Sequence, residues 1–429
     1  MIYEKTESTV AKYLKRTLLI GLGVLVGGVL FFPFLKYCQE RLPARTSFGK
    51  SAVVDAEKTD QSYVLFSPFA QNQNLSDPGR VYLTDLFGHP VHTWDTKYQA
   101  LYSTLKKNGH LLVALIEPAD LLANPGGGGT GLIQELDWES NVVWQYENKG
   151  LHHDFDVLPN GNVVALLWDQ LFDDRASRIR GGKKSSHDPQ VWGDAIVEID
   201  TQGKEVWRWS TAFELDPEKY PIGPLTPRSE WTHGNSVRYY PTNPFTRKPA
   251  YLVSFRHINR VMLIERESRR VLWESKEGTL SFQHDPTLLE NGNILVFDNG
   301  MFRDQERPFL WSRVVEIDPR TDKIAWQFTG GSTGPEQARL SPSIMGGAQR
   351  LQNGNTFIVN SVQGMMLEVT PEKKIVWEML NPYAAPTTGP WLNNALFKAR
   401  RYQPLEVEWP EKLPSPSGDA VSATCKWFQ

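Results

Sequence analysis

The chain has 429 residues, a hydrophobic fraction of 40% and a formal net charge of −3. Such a chain can bury a large core, and its near-balanced charge excludes the basic surface of a nucleic-acid binder. Its two cysteines, Cys38 and Cys425, exclude a disulfide framework and leave the redox compartment undefined.

Residues 1–16 are polar and carry Lys5, Lys12, Lys15 and Arg16. Thr17 to Leu35 is an uncharged apolar run of 19 residues, TLLIGLGVLVGGVLFFPFL. That length spans a ~30 Å hydrocarbon layer as a helix. The run is long for a signal-peptide core and no A-x-A site follows it, so an uncleaved single-pass anchor is expected. Residues 1–16 would then be cytoplasmic and the bulk of the chain extracytoplasmic, periplasmic in a Gram-negative cell. Residues 36–60 read as a linker.

From residue 61 one pattern returns six times: a short strand, a polar turn and a second strand marked by Trp. The marks are Trp94, Trp144, Trp207, Trp273, Trp326 and Trp377, spaced 50–66 residues apart. Repeating hairpins of that period predict an all-β, six-bladed β-propeller over residues 61–403, because closing the sheets around an axis buries faces that a lone hairpin leaves wet. A second kind of hairpin alternates with the first. It reads HHDFDVLPNGNVVALLW at 152–168, SFQHDPTLLENGNILVFDNG at 281–300 and GGAQRLQNGNTFIVN at 346–360, with a weaker copy at 103–115. The Asn-Gly turns mark its tight bends. Blade one lacks a complete inner hairpin. The strand at 395–402, ALFKARRY, is therefore expected to pair beside Tyr63–Ser67 and close the ring. Residues 404–429 read as a peripheral tail.

His153 and His284 each lie eight residues before a turn glycine and are each followed by Asp. His233, in the third inner strand, matches their apolar register. Equivalent residues of successive blades ring the axis, so these histidines are expected at one channel mouth. Alternation puts Asn235 on the face of His233, and the antiparallel return brings Arg256 near it. His152 and Asn299 complete the expected substrate contacts, with Asp169 facing His153 and Asp298 behind. Gly346-Gly347 leave open space beside His284. Three histidines could also hold zinc. Arg256 favours an oxyanion instead, since a guanidinium fork suits its oxygens, and no metal is expected.

These stretches, with EWTHGNS (230–236) and LVSFRH (252–257), resemble the arylsulfotransferase family that uses aryl sulfates rather than a nucleotide donor. The resemblance covers nearly all of residues 60–403 in order. It implies a six-bladed propeller and ping-pong transfer from an aryl sulfate to a phenol through a sulfohistidine. By motif, the nucleophile falls on His284, and His153, His233, Asn235 and Arg256 fall on other site positions. Phe255 departs from the family, which commonly has Ser before the Arg. No Gly-rich phosphate loop is present, and no cofactor is expected. Two other readings stand beside this one. One is a non-catalytic membrane-tethered propeller that binds proteins or glycans, which would not need the histidines. The other is a quinone-dependent oxidoreductase, which would usually have more blades.

Overall fold

In the computed structural model, the described residues are 51–417, apart from 54, 70–76, 119–125, 184–189, 304–310, 332–337, 341–343 and 384–393. The expected membrane segment Thr17–Leu35 lies outside them. Among the described residues no helix is long and apolar enough to cross a membrane.

The alternating hairpins pair into six antiparallel sheets radiating from an axis. The innermost strands of blades two to six are Ala100–Leu105, Leu151–Val157, Gly234–Tyr240, His284–Leu288 and Gly347–Arg350. Blade one takes its innermost strand from the far end of the chain, Leu396–Tyr402. That strand runs antiparallel to Tyr63–Pro68, with Tyr63 opposite Tyr402. It also touches Ala100–Leu105 and Gly347–Arg350, which completes the ring. The closure expected from ALFKARRY is thus present.

Five blades have four strands. Blade six has a fifth, because Ser51–Val53 pairs with its outer strand Ile375–Leu380. Part of the stretch read as a linker therefore belongs to the propeller. The tail read as peripheral is also packed. Trp409 meets Tyr63 edge-on at 5.4 Å, Val407 is buried, and Tyr63 donates to the Pro414 carbonyl at 2.6 Å. The reason is local: Val407 and Trp409 give this polar stretch apolar surface to bury.

The core is a set of six apolar clusters among the described residues, each between neighbouring blades. Between blades three and four, for example, Leu166, Ile196 and Trp209 meet Tyr251, Val253 and Phe255. Burying one such large side chain contributes ~1.5–3 kcal/mol. The repeated Trp residues also latch blade to blade through indole N–H donors. Trp94 donates to the Asp137 carbonyl, Trp207 to Arg266, Trp273 to the Asp322 carboxylate, Trp326 to the Pro371 carbonyl and Trp377 to Leu86. Each acceptor sits on a turn of the next blade, and Trp377 closes the circle onto blade one. Trp144 packs against the cluster between blades two and three.

Beneath the histidine-bearing ends of the inner strands lies a buried ionic hub. Asp154 and Asp285, which follow His153 and His284, point into it. Lys398 Nζ is 2.8 Å from Asp154 and 3.2 Å from Asp285. Arg400 is 2.8 Å from Asp285, and Arg238 lies 3.3 and 3.2 Å from the two carboxylates. Burial alone would raise the Asp285 pKa, but Arg400, Lys398 and Arg238 hold it below its ordinary value. Three cations face two carboxylates and join blades one, three, four and five.

Candidate active site

A pocket of about 350 Å³ opens at one end of the axis, lined by His153, His233, Arg256 and His284 as expected. His257, Glu230, Gly127 and Gly128 line it too, with an apolar wall of Phe69, Leu101, Ile344, Met345 and Phe397.

The three histidines converge, but not through one shared strand position. His284 pairs opposite Phe297 in blade five. In blade three the equivalent partner, Leu166, faces His152, and a bulge expels His153 and Asp154 from the ladder. In blade four Ser236, opposite Ser254, takes that place, and His233 lies before it in the chain, beyond an irregularity at Asn235. His153 and His233 have φ of +55° and +49°. Such left-handed backbone is uncommon for side-chain-bearing residues, and here it swings each ring toward the pocket. The rings of His153 and His233 end 4.7 Å apart, edge to face.

His284 is held by its Nδ1, which is 2.7 Å from Asn299 Oδ1 and 3.1 Å from the Phe282 carbonyl. Asn299 is oriented by donating its own N–H to the Met345 carbonyl at 3.0 Å. Both oxygens near Nδ1 accept, so Nδ1 carries the proton. Nε2 then bears the lone pair, and it has no hydrogen-bond partner among the described residues. Burial, with Arg256 nearby, lowers the His284 pKa to about 3. The ring is therefore neutral and nucleophilic at ordinary pH.

Arg256 donates its backbone N–H to the His233 carbonyl at 3.1 Å. Its guanidinium lies 4.4 Å over the Phe282 ring, and Nη1 donates to His257 Nε2 at 2.9 Å. His257 is fixed by Nδ1 donating to the Glu230 carbonyl at 2.6 Å. Burial lowers the Arg256 pKa to about 10, with Glu230 opposing, and Arg256 stays charged. His233 Nδ1 is hydrogen-bonded to the Glu230 carboxylate. That bond leaves Nε2 of His233 for the pocket.

Glu230, His233 and His257 are close enough to be considered as metal ligands. However, the His233 and His257 rings stack at 4.4 Å with planes 28° apart. Imidazole lone pairs lie in the ring plane, so near-parallel rings direct them side by side rather than at one ion. The donors also already bond to one another, to Arg256 and to backbone. The arrangement fits a hydrogen-bonded anion cradle better than a metal site.

Several expected contacts take other positions. His152 is fully buried behind His153, stacked at 4.2 Å on Trp168, with its Nδ1 2.9 Å from His153 Nδ1. Asn235 is also fully buried; it donates to the Gln283 carbonyl at 2.9 Å and so braces the segment leading into His284. Asn299 supports His284 from behind. Asp169, expected to face His153, accepts from Ser210 at 2.5 Å instead. The carboxylate near His152 is Asp194, at 3.3 Å from Nε2. Asp298 binds Arg303 and Arg313 as a brace.

Gly346-Gly347 do not leave open space. A Cβ at Gly346 would fall 2.5 Å from the Phe297 ring, and one at Gly347 2.6 Å from Asp285 Oδ2. Their small size admits those two side chains. The glycine that makes room in the pocket is Gly128. A Cβ there would sit 2.3 Å from the His153 ring, and its φ is +78°. Sequence reasoning missed Glu230, Asp194, Gly128 and the pocket role of His257. Glu230 opens EWTHGNS and His257 closes LVSFRH, and that was the signal available for two of them.

A six-bladed propeller with a cationic, histidine-lined pocket on its axis is the frame of a group-transfer enzyme. The sequence profile of the family described as Arylsulfotransferase (ASST) matches residues 113–382, and the chain belongs to that family. It is a sulfotransferase by that membership. No curated protein matches the sequence significantly. Among solved structures, a protein of unknown function from Bacteroides caccae is similar at 13% identity and a TM-score of 0.44, covering 74% of this chain and 93% of that one. AztD from Citrobacter koseri is similar at 10% identity and 0.36, covering 80% and 99%. Virginiamycin B lyase from Staphylococcus aureus is similar at 9% and 0.37, covering 76% and 88%. Likeness this distant says nothing of the chain's chemistry.

Proposed function

We propose that the protein moves a sulfuryl group from an aryl sulfate to a phenol through a sulfohistidine on His284, in two half-reactions. The observation that carries this reading is the tautomer of His284. Its Nδ1–H is held by Asn299, and its Nε2 lone pair is left for the pocket that also contains Arg256. In the first half-reaction Nε2 attacks sulfur. The S–O bond to the aryl group breaks, and the phenolate takes a proton. In the second half-reaction a phenol attacks the same sulfur and His284 is regenerated. Arg256 balances charge on the sulfuryl oxygens, where a fixed cation lowers the barrier. His233, whose Nδ1 is held on the Glu230 carboxylate, turns its Nε2 toward the same space. The apolar wall of Phe69, Leu101 and Phe397 suits an aromatic ring.

The test is intact-mass analysis and peptide mapping after brief exposure to 4-nitrophenyl sulfate without nucleotide. A sulfo adduct on His284, lost together with turnover in His284→Ala, is the expected result. An adduct on His153 or His233, or an active His284→Ala variant, would overturn it. The apolar run Thr17–Leu35 favours a membrane-anchored enzyme with an extracytoplasmic propeller. The mature N-terminal mass and protease accessibility in spheroplasts test that placement.

A further inference from the structure

The reaction just proposed needs a proton at the departing phenolate and must remove one from the incoming phenol. The pocket histidines are poor stores for it. Burial lowers His257 and His284 to about 3 and takes His153 and His233 well below their ordinary value.

Behind His153 a chain of polar atoms leads out of the pocket. His153 Nδ1 is 2.9 Å from His152 Nδ1. His152 has both ring nitrogens buried and its ring clamped on Trp168. Its Nε2 lies 3.3 Å from Asp194 Oδ1 without making a hydrogen bond to it, and has no hydrogen-bond partner among the described residues. Asp194 is fully buried on the third strand of blade three, Val191–Ile199. It accepts from the Gly234 N–H at 2.8 Å and from the Thr232 hydroxyl, while its own N–H donates to Thr211 Oγ1 at 2.8 Å. No cation is paired with it among the described residues. An unpaired buried carboxylate is costly, so the group favours its neutral acid.

We infer that Asp194, His152 and His153 form a proton relay, in which Asp194 holds in the resting enzyme the proton that it gives up as His284 takes the sulfuryl group. The S–O electron pair stays on the phenolate oxygen, which takes the proton of His153 Nε2. His153 Nδ1 takes the proton of His152 Nδ1, and His152 Nε2 takes the carboxylic proton of Asp194. The net change is Asp194 acid plus phenolate to Asp194 carboxylate plus phenol. The incoming phenol reverses each transfer. Proton and sulfuryl group thus reside on the protein at opposite times, and both rings end each half-reaction neutral.

The titration of Asp194 agrees with this role. Burial raises it to about 7, against the hydrogen bonds from Thr232 and Gly234 and with a small contribution from Asp169. The facing groups are His152, Thr211, Thr232, the Gly234 amide and Asp169, which itself has Ser210 and Arg208 as neighbours.

This inference rests on the sulfohistidine reading, and leaving-group dependence separates the two. Single-turnover formation of the His284 adduct is followed in the full-length chain with 4-nitrophenyl sulfate, whose phenolate leaves unaided, and with phenyl sulfate, whose phenolate needs the proton. In Asp194→Asn the ratio of the two rates should rise by ~10²-fold, the scale of losing a general acid. His152→Phe keeps the stack on Trp168 and leaves the Asp194 anchor to blade four intact, so it covers the case in which Asp194→Asn fails to fold. It should raise the ratio equally. In the wild type, adduct formation from phenyl sulfate should fall above about pH 7, and transfer from the adduct to phenol should fall below it. An unchanged ratio in His152→Phe overturns the relay, as does a rise confined to Glu230→Gln, which would place the proton on His233. Absence of any His284 adduct in the wild type instead defeats the underlying reading.

Discussion

The tautomer of His284 is decided by two oxygens, Asn299 Oδ1 and Phe282 O, neither of which has a proton to give. Asn299→Ala removes the stronger constraint, together with the hydrogen bond to the Met345 carbonyl. Adduct formation should slow by ~10–100-fold, the usual cost of losing a partner that orients an imidazole. Rapid-quench measurement of the adduct checks this. Arg256→Ala should slow the same step by ~10²-fold or more, since it removes a cation aimed at the sulfuryl oxygens. The pH dependence follows from the sign of the His284 shift. Its pKa is lowered to about 3, so the ring stays neutral as pH falls through the ordinary histidine range. With 4-nitrophenyl sulfate, adduct formation should therefore hold from pH 7 down to about pH 5. A limb near pH 6.5 in stopped-flow traces would contradict the buried environment described for this ring.

The inner strands of blades three to five show what bulges accomplish. A regular ladder would place His152 and His284 at one height and leave Ser236 in the third place. The two-residue bulge at His153-Asp154 presents a second histidine and sends its neighbouring carboxylate into the ionic hub. Gly128 completes the arrangement by pressing bare backbone against the His153 ring; its carbonyl accepts from the His153 N–H at 2.7 Å. Gly128→Ala meets both a left-handed backbone and the imidazole. It should destabilise by ~1–2 kcal/mol for the backbone alone, and transfer to phenol should fall more than the binding of donor. Thermal unfolding and single-turnover rates measure the two effects separately.

At the scale of the molecule, the ring is closed three times over. Leu396–Tyr402 pairs with Tyr63–Pro68, Trp377 donates to Leu86, and Lys398 and Arg400 reach the carboxylates of blades three and five. Lys398→Met leaves Asp154 and Asp285 with less compensating charge in a buried place. Breaking a buried pair on one side costs about 3–5 kcal/mol. The denaturant midpoint should shift accordingly, well beyond the ~1–2 kcal/mol expected for Trp377→Phe, which loses one hydrogen bond and leaves a buried carbonyl without its donor.

The six Trp hairpins, the missing inner hairpin of blade one and the strand at 395–402 were legible because blade count and closure are matters of period, and period is written along the chain. His153, His233, His284 and Arg256 were legible for the same reason: each stands near the end of a strand that the repeat brings to the axis. Bulges are another matter. Asn235 was read as a substrate contact on strict alternation, and irregular pairing removed it from the pocket wall; His152 was read as a contact beside His153, but it stays in the ladder opposite Leu166. Asp169 was read beside His153 on the antiparallel return of the hairpin, while Asp194 reached His152 from the strand beyond it. Gly346-Gly347 looked open, yet Phe297 and Asp285 occupy the space. Strand period and blade number follow from local hydrophobic alternation, which the sequence determines by itself. The carboxylate behind His152 and the glycine against His153 depend on contacts between residues tens of positions apart, and only the folded blades decide them.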